Sequence, residues 1–359
     1  MTDKHNSLLE ILKNFIDSNY ASAAPGMNVL VKGSNFSFEY WTGSIPELNF
    51  SYTRDTIYDM ASVTKPVVTA TLVMKLVEMG KIGLEDTLET IGLYKSEFAV
   101  SRLTIRELIT HTSGLVPTYP LYKFGTTRED YLRTIAIMHE RRLPLAEEYS
   151  DLNYILLGFV IEHITGKNLD DIAQEYIFKP IGMKSSCFNP KIDQKKIAPT
   201  ERDPDRGGIV WGKVHDEKSY YLGGVAGHAG MFSTIDDMGR YAEALLGYKL
   251  LKKPTLDEMI QPQNASIGGM FGIGWMIKMR KPISPSLAFG YNGFMGDIAP
   301  AGTFGHTGFT GTSISIDPFS GTYVIILSNR VYPTRENMGI LRFRRLFHNI
   351  VYSHVPESQ

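Results

Sequence analysis

What most limits the fold of this chain is where its two textures lie, with short β-type runs towards both ends and helical patterns between them. Met27-Asn28-Val29-Leu30-Val31 and Phe36-Ser37-Phe38-Glu39-Tyr40 flank Lys32-Gly33-Ser34-Asn35, whose turn residues predict a hairpin. Towards the other end, residues 311–317 and 322–328 run in strand fashion and are joined by Pro318-Phe319-Ser320-Gly321. Between them the spacing predicts helices over 66–79, ended by Gly80, near 104–110, near 128–139, and over 153–164, closed by Gly166. Leu8, Leu9, Ile11, Leu12, Phe15 and Ile16 recur at helical spacing, and a last helix is expected over 335–351. Strands from both ends can share one antiparallel sheet if the helical stretch is inserted between them. The expected class is therefore α+β: an antiparallel sheet flanked by helices and formed from both termini. Residues 1–70 and 213–359 are expected to make the sheet domain, and 71–212 an inserted, mostly helical domain.

Composition narrows the function. With 359 residues, 43% hydrophobic and 21% charged, the chain can bury a large core, and its formal net charge of -1 gives no electrostatic case for nucleic acid. Cys187 is the one cysteine, so neither an intramolecular disulfide nor a cysteine-based zinc site can form. The N-terminal stretch lacks the unbroken apolar core of a signal peptide, and no apolar run is long enough to span a membrane. These features lead to the expectation of a soluble, cytoplasmic protein with no membrane span.

Three segments carry chemistry. Met60-Ala61-Ser62-Val63-Thr64-Lys65-Pro66 heads the most apolar helix, and the Ser-x-x-Lys pattern occurs once in the chain. Residues three apart on a helix share a face, so Lys65 can reach Ser62 and, if neutral, remove its proton. Unpaired N–H groups at the helix start favour negative charge on the attacking oxygen. The plainer reading is a helix cap with a solvated lysine. Tyr149 and Asp151, in Glu148-Tyr149-Ser150-Asp151-Leu152-Asn153, precede a helix; the phenol can relay a proton beside a cation, or Asp151 can simply cap. In Gly305-His306-Thr307-Gly308-Phe309, glycines on both sides of His306-Thr307 let a ligand approach the backbone of a strand.

In this order, the three segments resemble the serine β-lactamase and penicillin-binding protein superfamily. Within it they look most like class C β-lactamases, family VIII esterases and D-alanyl-D-alanine carboxypeptidases. Supporting segments run from Arg106 to Leu115 and from Gly223 to Thr234, and the likeness extends from about Pro25 to Ile350. The resemblance implies that Ser62 is acylated, that Lys65 is its base and that Tyr149 is the second-motif tyrosine. It matches His306-Thr307-Gly308 to the Lys-Thr-Gly strand and places the oxyanion hole at the backbone N–H groups of Ser62 and Phe309. Asp151, His306, Thr307 and Gly308 are then the substrate-binding residues.

Two positions depart from the classical β-lactamases: Asp151 stands in place of Asn, and His306 in place of Lys. An ionised Asp only accepts hydrogen bonds, and a histidine titrating near ~6.5 is a weak anchor for a carboxylate. The expected substrate is therefore an ester, amide or D-amino-acid peptide, with peptidoglycan-derived molecules among the candidates, hydrolysed through a Ser62 acyl-enzyme with no cofactor and no metal. Other readings are a true β-lactamase, a muropeptide amidase, or a binder or sensor of peptidoglycan fragments that acylates at most once. His215, Asp216, Glu217 and His228 could be read as zinc ligands but lack helix-face metal spacing; the simpler expectation is that 214–217 orders a loop at the cleft mouth. His111 is expected to serve the end of its helix.

Overall fold

In the computed structural model, which describes residues 3–139, 146–280 and 292–355, a seven-stranded antiparallel sheet joins the two ends of the chain. Helix α1 (Asp3–Ala23) leads into β1 (Gly26–Lys32), β2 (Ser37–Ile45), β3 (Phe50–Ser51) and β4 (Tyr58–Asp59). Short pairings follow in the middle of the chain: β8 (Met231–Ser233) pairs with β4 and with β5 (Cys187–Phe188), and β6 (Arg202–Asp203) pairs with β7 (Gly208–Ile209). Strands β9 (Met276–Ile277), β10 (Phe304–Thr307), β11 (Ser313–Ile316) and β12 (Tyr323–Ser328) complete the set. The sheet order β3-β2-β1-β12-β11-β10-β9 sets the first strand of the chain beside the last, with Val29 opposite Ile326. This is the α+β sheet expected from the distribution of β-type runs.

Strand β12 is buried throughout because both faces of the sheet are covered. Val324 and Ile326 face α1 and the C-terminal helix Gly339–Tyr352, where they meet Leu12, Ile16, Phe343 and Phe347. Tyr323, Ile325 and Leu327, one residue out of phase, enter the larger core on the other face. The C-terminal helix begins at Gly339 rather than near 335. Residues 335–338 instead wrap the buried Arg330, whose Nη1 donates to the carbonyls of Arg335 (2.8 Å) and Asn337 (2.7 Å).

The expected central helices are α2 (Thr71–Glu78), α3 (Ile105–Ile109), α4 (Arg128–Met138) and α5 (Asp151–Thr165). A 3-10 turn, Ala61–Val63, and a wider π-type stretch, Lys65–Ala70, run into α2. In α5, the ten residues from Leu152 to Ile161 are all buried, so this stretch is enclosed on every side and serves as the pillar of the helical half. Ser150, not Asp151, caps α5, with its hydroxyl accepting from the Leu152 N–H at 3.2 Å. Asp151 is thereby released to point elsewhere. No described helix is long and apolar enough to cross a membrane.

Candidate active site

Ser62 sits on a turn that the rest of the molecule holds from below. Ala61 has φ of 45°, a left-handed conformation unfavourable for a residue with a side chain. It is held there by Asp59, whose Oδ1 accepts the Ala61 N–H at 2.8 Å, while Oδ2 accepts the His215 N–H at 2.6 Å. Burial raises the pKa of this carboxyl. On the other side, the turn after β10 closes onto the same segment. Thr310 Oγ1 donates to the Asp59 carbonyl (2.8 Å) and Thr312 Oγ1 to the Met60 carbonyl (3.0 Å). Gly308 fits between them only because it lacks a Cβ, which would lie 2.2 Å from Thr312 Oγ1 and 2.5 Å from the Met60 oxygen.

Lys65 is fully buried, and its Nζ lies 3.0 Å from Ser62 Oγ. It also donates to Asp151 Oδ1 at 2.8 Å and to the His228 carbonyl at 3.2 Å. Burial pushes its amine below the usual lysine range, against the pull of Asp151. The His228 carbonyl reaches Lys65 because its loop lies directly on α5: a Cβ on Gly227 would be 2.1 Å from the Tyr154 oxygen. Thr69 Oγ1, one turn beyond Lys65, donates to the Gly227 carbonyl at 2.6 Å and pins the same loop.

The Tyr149 ring stands beside Lys65, with Nζ 4.8 Å from its centroid. It packs on His111 (centroids 4.6 Å apart) and lies 6.0 Å from His306. His111 does more than serve the end of α3. Its Nδ1 accepts from the Ser150 N–H (3.1 Å) and is paired with Asn153 Nδ2 (3.2 Å), and its carbonyl accepts from the Glu148 N–H (2.8 Å). Ser113 Oγ also donates to Asn153 Oδ1 at 2.5 Å. The 106–115 segment thus fixes the backbone on both sides of Tyr149.

His306 is buried on β10, and its Nδ1 donates to the Thr307 carbonyl at 2.8 Å. Burial, with Lys65 nearby, lowers its pKa to about 3, so the strand presents a neutral imidazole at any working pH. Thr307 ends the strand. Phe309 follows, half exposed, with its ring 4.5 Å from the Arg330 guanidinium and stacked on His215 at 5.7 Å. Arg330 Nε donates to the Phe309 carbonyl at 2.8 Å.

The histidines considered as metal ligands separate into two networks. His215 Nε2 pairs with Glu201 Oε2 (2.9 Å), and Glu201 in turn binds Arg335. His228 Nε2 pairs with Asp216 Oδ1 (2.7 Å). Asp151, Asp216 and His228 do offer donor atoms within 4.8 Å of one another. However, the Lys65 amine and the Lys218 ammonium already occupy those carboxylates: Lys65 Nζ lies 2.8 Å from Asp151 Oδ1, and Lys218 Nζ lies 3.2 Å from Asp151 Oδ2 and 3.1 Å from Asp216 Oδ2. The Lys218 charge there opposes a bound cation. Sequence reasoning missed Lys218 and Asp59. Lys218 belongs to no short motif, and its one visible sign is a lysine two residues from an aspartate in a short helix, Glu217–Tyr221.

Comparison with known proteins identifies the family and the fold. A family model described as Beta-lactamase matches residues 13–348. A curated protein of Salmonella gallinarum, provisionally named a D-alanyl-D-alanine carboxypeptidase, is 31% identical, the match covering 91% of this chain and 82% of that protein; one from Salmonella typhi matches equally. Among solved structures, a class C β-lactamase from Rhodobacter sphaeroides superposes with a TM-score of 0.72 at 19% identity, covering 98% of this chain and 99% of that one. EstCE1, described as a hydrolase with promiscuous acyltransferase activity, gives 0.74 at 22%, covering 98% and 100%. The octameric penicillin-binding protein homologue from Pyrococcus abyssi gives 0.67 at 20%, covering 90% and 73%. The chain belongs to the β-lactamase family, within the superfamily of serine β-lactamases and penicillin-binding proteins.

Proposed function

We propose that this protein is a serine hydrolase that forms an acyl-enzyme on Ser62 from an ester, amide or D-amino-acid peptide. The observation that carries the reading is the buried Lys65 amine, held 3.0 Å from Ser62 Oγ and biased by burial towards its neutral form. As Oγ attacks the carbonyl carbon, its proton passes to Lys65 Nζ, and the carbonyl electron pair collects on oxygen. The amides of Ser62 and Phe309, on the two turns braced together by Thr310 and Thr312, are assigned to that oxyanion. Collapse of the tetrahedral state expels the leaving group, which takes the proton that Lys65 gained, relayed through Tyr149, and leaves Lys65 neutral again. Water then repeats the sequence on the ester, with Lys65 or Tyr149 as base, and frees Ser62.

The neutral His306 supports substrates other than good β-lactams, because that strand position lacks the fixed cation that would face a carboxylate. The provisional name of the Salmonella relatives fits a D-amino-acid peptide, and the promiscuous acyltransferase activity of EstCE1 fits an acyl donor such as an ester. The test is intact-mass spectrometry with a fluorophosphonate and, separately, benzylpenicillin, alongside p-nitrophenyl butyrate turnover. Expected are a single adduct on Ser62, ester turnover, and little penicillin consumed. Ser62→Ala should lose both label and turnover while melting normally; retained turnover would remove Ser62 from the mechanism. Fast penicillin hydrolysis would overturn the substrate assignment, and an adduct without turnover would favour a sensor.

A further inference from the structure

The ion pairs beside Lys65 form a closed ring. Lys65 Nζ binds Asp151 Oδ1, Asp151 Oδ2 binds Lys218 Nζ, Lys218 binds Asp216 Oδ2, and Asp216 Oδ1 binds the His228 ring. The backbone carbonyl of that same His228 returns to Lys65 at 3.2 Å. Lys218 is itself buried. Its third contact is Thr118 Oγ1 at 3.3 Å, and its carbonyl accepts from the Tyr131 hydroxyl at 2.9 Å. A solitary carboxylate 2.8 Å from Lys65 would hold that lysine as an ammonium, the wrong state for a base. The second lysine, on the opposite oxygen of the same carboxylate, changes that balance.

We propose that Lys218 is a positioning residue for the base. By taking Asp151 Oδ2 it fixes the carboxylate rotamer and offsets its charge, so that Asp151 orients Lys65 without locking it in the protonated form. The inference rests on the reading of Ser62 and Lys65 as nucleophile and base. It makes Asp151 a bridge between two lysines, in place of a substrate contact. The step it serves is the transfer of one proton from Ser62 Oγ to Lys65 Nζ as the Oγ–carbon bond forms; Lys218 neither gains nor loses a proton.

The influences on Lys65 oppose one another, with burial the largest. Asp151 and, farther off, Asp216 favour its ammonium, whereas burial and Lys218 oppose it. From the other side come the Tyr149 and Tyr154 rings, at 4.8 and 5.9 Å, and two histidines, His111 and His306, both held neutral chiefly by burial. Burial alone would raise the carboxyls of Asp151 and Asp216. Lys65 and Lys218 hold the first below the usual range, and His228 and Lys218 hold the second there.

The experiment is the pH dependence of kcat/KM for p-nitrophenyl butyrate, together with the fluorophosphonate labelling rate, in full-length Lys218→Met, Lys218→Arg, Asp151→Asn and the double variant D151N/K218M. Lys218→Met should move the rising acid limb to higher pH. Activity should fall about tenfold or more at pH 7 and recover towards wild type in alkali, since each unit of displacement is a factor of ten. Lys218→Arg should restore the wild-type limb. Asp151→Asn should move it the other way, to lower pH. The double variant, which strands neither buried charge, should lie at or below the wild-type limb even if the single methionine variant folds poorly. An unmoved limb, or an equal loss at every pH in a folded Lys218→Met protein, would overturn the role of Lys218. Persistent labelling of Ser62→Ala would instead overturn the underlying nucleophile assignment, whatever the Lys218 variants do.

Discussion

The two walls of the cleft solve the problem of burying polar groups in opposite ways. The helical wall, made by the Lys65 turn, the head of α5, the Glu217–Tyr221 helix and the His228 loop, is a ring of paired acidic and basic groups. The strand wall, β10 and β11 backed by the C-terminal helix, is built on neutral imidazoles. His306 packs against the Tyr149 and Phe271 rings. Behind it, His348 donates from Nδ1 to the Arg344 carbonyl and accepts from Ser315 Oγ at Nε2, each at 2.8 Å. Burial lowers their pKa values to about 3 and about 4. The difference teaches where proton transfer and where shape are decided. A charged ring sets the protonation state of the lysine that reacts, while an uncharged strand offers backbone and fixed geometry without disturbing that state.

The comparison breaks most completely at Lys65. Lys65→Met removes the only amine within reach of Ser62 Oγ among the described residues, and kcat/KM should fall by about 10³-fold, within the span usual for a lost general base. Asp151 keeps Lys218 as its partner, so the melting temperature should change little. A variant retaining a tenth of its activity would place the base elsewhere. On the strand wall, Gly308→Ala forces a methyl group against Thr312 Oγ1 and the Met60 carbonyl. The two braced turns must part, and kcat should drop by about 10²-fold, as when an oxyanion donor is displaced. The penalty should fall mainly on kcat rather than KM; a pure KM effect would mean that the turn positions substrate only. A smaller effect is expected from His306→Gln. A side chain that does not titrate near neutrality cannot shape the profile, so activity should change only a few-fold and both pH limbs should stay in place. A displaced limb would show that the imidazole carries charge in the working enzyme.

Much of this arrangement was readable in the chain because its parts are local. Ser62 and Lys65 meet through helical spacing, and the hairpin and the paired C-terminal strands follow from alternation and turn residues. The Tyr149 and His306 segments were singled out by residue type, and the structure brings their rings within 6.0 Å of each other. What could not be read is tertiary. Asp151 finds Lys218, and Asp216 finds His228, only because α5, the Glu217–Tyr221 helix and the Gly227 loop are packed together, and no periodicity records that. Asp151 read as an acid facing the ligand, and its bridge between two lysines was not legible. The C-terminal helix starts four residues later than its pattern suggests, because Arg330 takes the carbonyls of Arg335 and Asn337. Asp59 was overlooked for the same reason: its oxygens serve two amides far apart in sequence, Ala61 and His215.

The walls should also part company when the protein is acidified. A buried histidine with a lowered pKa contributes stability that is complete above its unfolded value near ~6.5 and is lost as pH falls towards its folded value, because the unfolded chain takes up the proton first. For His348 and His306 that window runs from about 6.5 down to about 4 and about 3, respectively. The carboxylates of the helical wall behave alike in sign but not in range. Asp151, held at about 2, loses its contribution only below the ordinary aspartate value near ~3.9. Between about pH 6.5 and about pH 4, therefore, the loss of stability belongs to buried histidines such as the strand-wall pair and not to the Asp151 carboxylate. His348→Gln should flatten the slope of unfolding free energy against pH in that window by up to about 1.4 kcal/mol per pH unit, the share of one proton. Urea unfolding at a series of pH values measures it. If the slope were unchanged there while the slope above about pH 6.5 changed instead, His348 would be charged in the fold and the strand wall would not be the neutral one.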